Sequence, residues 1–182
     1  MKIYTRTGDN GTTSLIGRRV SKSSNVVKFL GKLDELNCLL GLIKSYIIDE
    51  EISSEIIILQ TKIFEVSSVI AGVKIDLQLI KFIEKLELDI DNWTSELPEL
   101  RNFILPGGAK SAGFAHLARS ICRECERLYF EIKEIESNEQ LKIENDAIGK
   151  FLNRLSDWLF TFARFLNKKE KVNDILWSSD NQ

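Results

Sequence analysis

Three features of the sequence predict an all-α protein, a five-helix bundle preceded by an N-terminal loop. Only two prolines, Pro98 and Pro106, occur in the 182 residues, and long stretches contain no glycine, so little interrupts a helix. Five segments repeat apolar residues at steps of three and four. The links between them are short, and each segment has an apolar stripe to bury against the others.

Residues 1–25 differ in composition from the rest. They form a loop rich in glycine and hydroxyls, Thr5, Thr7, Gly8, Asp9, Asn10, Gly11, Thr12, Thr13, Ser14 and Gly17, with Arg18, Arg19 and Lys22 behind it. The first helix, over 26–48, carries Val26, Phe29, Leu33, Leu36, Leu40, Ile43 and Ile47 on one face and Asp34, Asn37 and Gly41 on another. A second helix follows over 51–71 through Ile52, Ile56, Leu59, Ile63, Val66 and Ile70. The third runs through Leu79, Ile83, Leu86, Ile90, Trp93 and Leu97 and stops at Pro98. Between 98 and 109, Pro106 and the Gly107-Gly108 pair forbid a continuous helix. The fourth helix covers 110–136. The fifth starts between 139 and 144 and runs to 168 on Ile148, Leu152, Leu155, Leu159, Phe162 and Leu166. A charged tail, 169–182, docks in part through Ile175, Leu176 and Trp177. The bundle is thus 26–168, and 1–182 reads as one domain.

Composition excludes several classes of function. Lys+Arg 25 against Asp+Glu 27 leaves a net charge of −2, without the basic excess that draws a protein to nucleic acid or an anionic membrane. No run of about 18 apolar residues offers a transmembrane span. Three cysteines cannot all pair, and the first residues lack the apolar core of a signal peptide, so the expected location is cytoplasmic.

The chemistry gathers on two helices and the loop. On the fourth helix, Arg123 and Glu126 fall within about 40° of Arg119, opposite a stripe of Phe114, Leu117, Ile121, Cys125, Leu128 and Ile132. The arginines are either a solvated face of Glu–Arg pairs or an anion site or subunit interface. Asn153, Asp157, Phe160 and Arg164 share a stripe on the fifth helix, and Asp34 on the first is placed to neutralise an arginine. The loop is either a phosphate cradle, with glycines baring backbone N–H groups and hydroxyls donating, or a plain Asn-Gly turn. It is not a Walker A loop. Cys122 and Cys125 read as buried structural cysteines, because a zinc site would need every cysteine and the single histidine. Gly113-Phe114-Ala115 precede His116, which rules out a Glu-x-x-His di-metal pair. His116 itself is a satisfied surface histidine or a polar contact on the arginine side.

Five motifs occur in one order. They are Lys2 to Ser14 (KIYTRTGDNGTTS), Gly31 to Asn37 (GKLDELN), Phe103 to Gly108 (FILPGG), Ala118 to Arg127 (ARSICRECER) and Asn153 to Phe160 (NRLSDWLF). Together, over about residues 2 to 165, the chain resembles the PduO-type ATP:cob(I)alamin adenosyltransferases. The resemblance implies a five-helix bundle that forms a homotrimer, with each active site shared between neighbouring subunits. It implies ATP on Thr5, Thr7, Gly8, Asp9, Gly11, Thr12, Thr13 and Ser14 with Lys22, completed by Arg123, Glu126 and Asn153, with Glu126 a candidate for Mg²⁺. It also implies that Arg119 pairs with Asp34 across the interface and that Phe103 lies beside the corrin. The activity implied is transfer of the 5′-deoxyadenosyl group of ATP to cob(I)alamin, with release of triphosphate. Expected partners are a reductase and an adenosylcobalamin-dependent enzyme. The alternative is a carrier or sensor of adenosylcobalamin on the same bundle.

The chain departs from the family pattern in places. Asn10 stands where a lysine is usual, Glu124 where an arginine is usual and Cys125 where an alanine is usual, and Lys22-Ser23-Ser24 replaces a usual Lys-Asp-Asp. The loss of charge at Asn10 shifts weight onto Lys22.

Overall fold

A computed structural model describes residues 2–135 and 147–178. It contains five helices, α1 (Asn25–Lys44), α2 (Glu50–Ile70), α3 (Leu79–Glu96), α4 (Lys110–Ile135) and α5 (Ala147–Lys169). The helix α4 lies between α1 and α5, α1 carries α2 on its other flank, and α3 packs on α5. The expected start of the fifth helix and the last residue of the fourth lie outside the described residues.

The predicted stripes of α1, α2 and α5 form the core. Phe29, Leu33, Leu36, Leu40 and Ile43 are buried from α1, Ile56, Leu59, Ile63, Val66 and Ile70 from α2, and Ile148, Leu152, Leu155, Leu159, Phe162 and Leu166 from α5. Such apolar burial contributes about 25 cal/mol per Å² and is the main term holding the bundle. On α4 the expected stripe is buried at Ile121, Cys125 and Ile132 and half-buried at Phe114 and Leu128, with Leu117 48% exposed, and the buried face extends beyond it to Ala112, Ala115, Ala118, Cys122 and Tyr129. The central position explains this, because small side chains let α4 approach both neighbours. Cys122 and Cys125 are buried as expected, and Cys122 Sγ donates to the Leu152 carbonyl at 3.2 Å.

The first helix ends at Lys44, not at 48. Asp49 requires the break: with extended backbone it caps α2, its Oδ1 accepting from Glu51 N and Ile52 N at 3.1 and 3.3 Å. These hydrogen bonds and Lys169 hold its carboxyl below the usual range. At the other end of α3, Leu97 is extended (ψ 153°), as a residue before proline must be.

Two short antiparallel pairs were not expected from the sequence. Thr12–Leu15 (β1) pairs with Arg18–Ser21 (β2) inside the N-terminal loop, and Ile104–Leu105 (β3) pairs with Ile175–Leu176 (β4) in the tail. Strands of four and two residues are too short to show an alternating pattern. The hairpin touches the bundle where Ile16 N donates to the Ala71 carbonyl at 3.0 Å.

The tail does dock, through polar ties more than through its apolar side chains. Arg164, expected beside Asn153 and Asp157, is buried and bonds Asp174 Oδ2 at 2.7 Å and the Pro98 carbonyl at 2.8 Å. Asn167 Oδ1 accepts from Ala109 N at 2.9 Å, and its Nδ2 donates to the Gly107 carbonyl at 3.1 Å and Asp174 Oδ1 at 3.2 Å. Gly108 makes this approach possible. Its φ is +107°, and a Cβ there would lie 2.1 Å from Asn167 Oδ1.

Candidate functional site

The site residues form two groups on different parts of the chain. In the loop, Gly11, at φ +76°, turns its N–H back to the Gly8 carbonyl at 3.3 Å, and Lys22 N bonds the Gly11 carbonyl at 2.9 Å. Thr5 and Thr7 share a hydroxyl hydrogen bond of 2.8 Å. A Cβ at Gly8 would come within 3.2 Å of Lys22 Nζ, so the ammonium lies against the bare backbone of the turn. The expected Asn-Gly turn is therefore present. Around it stand a cation, hydroxyls and exposed backbone, the components of an anion cradle. Asp9 has no ion pair among the described residues. Neither does Arg19, whose guanidinium bonds Thr7, Thr12 and Ser14. From the sequence alone Arg19 reads only as one of the basic residues behind the loop, outside the predicted site.

The second group lies along the facing sides of α4 and α5. Asn153 Nδ2 donates to Glu126 Oε1 at 2.9 Å, which joins two expected site residues across the helix pair. Arg119 and Arg123 follow on α4. Neither has an ion pair among the described residues, so the solvated row of Glu–Arg pairs is not formed. Arg119 is half-buried with its Nε unpartnered, and burial, then Arg123 beside it, lowers its pKa from the usual arginine value. A depression of about 160 Å³ lies over them, lined also by Ser156, Asp157, Phe160 and Thr161. Two guanidiniums without ion pairs among the described residues, at a concave surface, have the charge and shape that an anion needs. Glu124 is turned away from it, paired with Lys32 of α1 at 3.2 Å.

The surface reading of His116 is corrected by the structure. The ring is 4% exposed and packs edge-on against Phe160 at 6.0 Å, with neither ring nitrogen partnered. Burial, then the charge of Arg119, pushes its pKa down, and Asp174 opposes this. Its position beside α5 removes it from solvent, which a single-helix projection does not show.

Asp34 and Phe103 stand apart from these groups. Asp34 is exposed on α1 with no ion pair among the described residues, so it does not meet Arg119 within one chain. Phe103 is 81% exposed, while its carbonyl accepts from Trp177 N at 2.7 Å. The tail strand therefore holds its backbone and leaves the ring free. No hydrogen bond or ion pair joins the loop to Arg123, Glu126 or Asn153 among the described residues.

Comparison with known proteins bears on both groups. The sequence model of the family described as cobalamin adenosyltransferase matches residues 3–166. The chain is 36% identical to the corrinoid adenosyltransferase of Bacillus subtilis, covering 96% of this chain and 91% of that protein. It is likewise 36% identical to the corrinoid adenosyltransferase MMAB of Homo sapiens, over 93% of this chain and 70% of the human protein. Among solved structures, a phenylalanine-to-histidine variant of the PduO-type ATP:corrinoid adenosyltransferase of Lactobacillus reuteri, complexed with cobalamin and ATP, superposes with a TM-score of 0.90. That match has 33% identity and covers 98% of this chain and 97% of that one. An arginine-to-lysine variant of the same enzyme, complexed with ATP, gives a TM-score of 0.88 at 34% identity, over 97% of this chain and 100% of the other.

Proposed function

The chain belongs to the cobalamin adenosyltransferase family and is a corrinoid adenosyltransferase, and from that premise we propose that it moves the 5′-deoxyadenosyl group of ATP to the cobalt of cob(I)alamin, forming adenosylcobalamin and releasing triphosphate. One observation carries the reading: the unpaired cations Arg119 and Arg123 lie on the same helix pair as the Glu126–Asn153 bond, around a depression lined by no residue of the glycine-rich loop of the same chain. A loop from one subunit and an α4–α5 face from its neighbour then make one site. The assembly is a homotrimer, and Asp34 of one subunit neutralises Arg119 of the next.

Cob(I)alamin is a strong nucleophile, so the protein needs no general base. Its cobalt attacks the 5′ carbon of ATP, the carbon–oxygen bond to the triphosphate breaks, and the electron pair leaves with the triphosphate. Arg123, Lys22 and the backbone N–H groups around Gly8 and Gly11 stabilise the charge growing on that leaving group. The exposed Phe103 ring covers the lower face of the corrin. By excluding water it keeps Co(II) four-coordinate and easier to reduce.

Among the described residues no three His, Cys, Asp or Glu side chains cluster to hold a metal. The single carboxylate of Glu126, fixed by Asn153, suits a Mg²⁺ ion that keeps most of its waters and arrives on the phosphates. Bound there, Mg²⁺ supplies positive charge to the triphosphate oxygens. The three free cysteines fit a reducing cytoplasm, and no helix among the described residues is long and apolar enough to cross a membrane.

The test is anaerobic incubation with chemically reduced cobalamin, ATP and Mg²⁺, following the corrin spectrum and the release of triphosphate. Adenosylcobalamin and triphosphate in equal amounts are expected. Binding of ATP or corrinoid without product would make the chain a carrier or sensor. Light scattering should give the mass of three chains, and a monomer that turns over at the full rate would overturn the shared site.

A further inference from the structure

We propose that Arg19 is a positioning residue of the ATP site, a fork that fixes the spacing of the loop segments before the nucleotide arrives. This rests on the reading of residues 5–14 as the ATP-binding loop. Arg19 sits on β2 directly opposite Ser14 of β1. Opposed residues of an antiparallel pair point to the same side, and so does the residue two positions along. Arg19, Ser14 and Thr12 therefore share one face of the hairpin. From there Nη2 donates to Thr12 Oγ1 at 2.6 Å and to the Thr7 carbonyl at 2.6 Å, and Nη1 donates to Ser14 Oγ at 3.3 Å.

Those bonds join three segments: the limb before the Gly8–Gly11 turn and β1, which supply the acceptors, and β2, which carries Arg19. Little else ties the first limb to the hairpin. Every acceptor is a carbonyl or a hydroxyl, so the guanidinium keeps its whole charge, with no carboxylate partner among the described residues. Three of its five N–H donors are engaged. Lys22 lies against Gly8. Two cations thus flank the turn, and only Arg19 binds the segments together. A lysine reproduces the charge but not the planar fork, so exchange of one for the other is not conservative here.

The experiment compares the full chain with Arg19→Gln and Arg19→Lys. It measures kcat, KM for each substrate, ATP binding by calorimetry, and backbone amide exchange over residues 5–21 without ATP. Both variants are expected to raise KM for ATP about tenfold, the effect of losing one charge-assisted hydrogen bond. Corrinoid KM and kcat should stay within about twofold, and ATP-free amide exchange in the loop should speed up while helical circular dichroism is unchanged. Wild-type behaviour of Arg19→Lys would overturn the proposal in favour of charge alone. Unchanged loop exchange, or equal losses for both substrates, would also overturn it. Failure of the wild-type chain to make adenosylcobalamin would sink the transferase reading, while calorimetry and exchange would still judge Arg19.

Discussion

Residues 5–22 are held by the short β1–β2 pair, backbone turns, one guanidinium, Leu15 packed on the core and, among the described residues, one backbone hydrogen bond to Ala71 at the end of α2, whereas Arg119, Arg123, Glu126 and Asn153 project from two helices whose facing sides are buried. The loop carries its anion-binding groups on backbone with few cross-ties. The helix pair carries unneutralised charge on a scaffold that core packing has already fixed. Stability and affinity should therefore separate. Changes on the helix face should alter chemistry at constant fold, and changes in the loop should alter ATP affinity at constant fold. Changes in the ties behind the helix face should alter the fold itself.

The largest expected effect tests the helix face directly. Arg123 is exposed and makes no hydrogen bond or ion pair among the described residues, so Arg123→Ala removes neither. Transfer should fall about 100-fold or more, the usual cost of deleting one group that stabilises developing charge, with circular dichroism and melting temperature at wild-type values. Near-normal turnover would break the distinction between the two halves. Gly108→Ala should do the reverse. A methyl at φ +107° and 2.1 Å from Asn167 Oδ1 must displace the amide that ties Ala109, Gly107 and Asp174. Loss of about 2 kcal/mol in urea unfolding is expected, and wild-type stability would show that the tie is dispensable.

Phe103→Ala comes next. The ring is largely exposed, so stability should hold, while reaction starting from Co(II) should drop about tenfold more than reaction from prereduced Co(I), about 1.4 kcal/mol of selectivity. Equal losses from both starting states would remove the ring from the reduction step and leave it a binding contact only.

The sequence reveals most where one periodicity governs an element. α1, α2 and α5 each bury the stripe that their spacing defines. α4 buries Ile121, Cys125 and Ile132 of its stripe but, having two neighbours, buries a wider face than one periodicity defines: Ala112, Ala115, Ala118 and Cys122 also face inward on packing grounds while Leu117 turns out. The same central position buries His116. At the candidate site, the motifs nominate Arg123, Glu126 and Asn153, and the structure brings two of them together in the Glu126–Asn153 bond. Arg19 was not assigned, because its role depends on a hairpin of four-residue strands that leaves no pattern in the sequence. Arg164 stands on the expected polar stripe, but what it and Asn167 bond was equally hidden. Their partners, Asp174, Pro98, Gly107 and Ala109, are fixed by a tail whose docking only tertiary structure shows.

The smallest expected effect concerns His116, and it asks how rigid the helix half is. Two ring nitrogens without partners are a cost, so an apolar side chain of similar bulk should be tolerated. At pH 7, His116→Leu should lie within about 1 kcal/mol of wild type, or above it. The sign of the pH effect follows from burial and Arg119, which outweigh Asp174 and lower the folded pKa below 6.5. The folded chain then binds this proton more weakly than the unfolded chain. Wild-type stability should fall as pH drops below 6.5 and stop falling once the folded pKa is passed. Other groups, Asp49 among them, titrate equally in both proteins, so the difference between the two urea-unfolding curves isolates His116. A curve for His116→Leu parallel to wild type would mean that the ring gains a partner in solution, and a loss of several kcal/mol at pH 7 would identify that partner as structural.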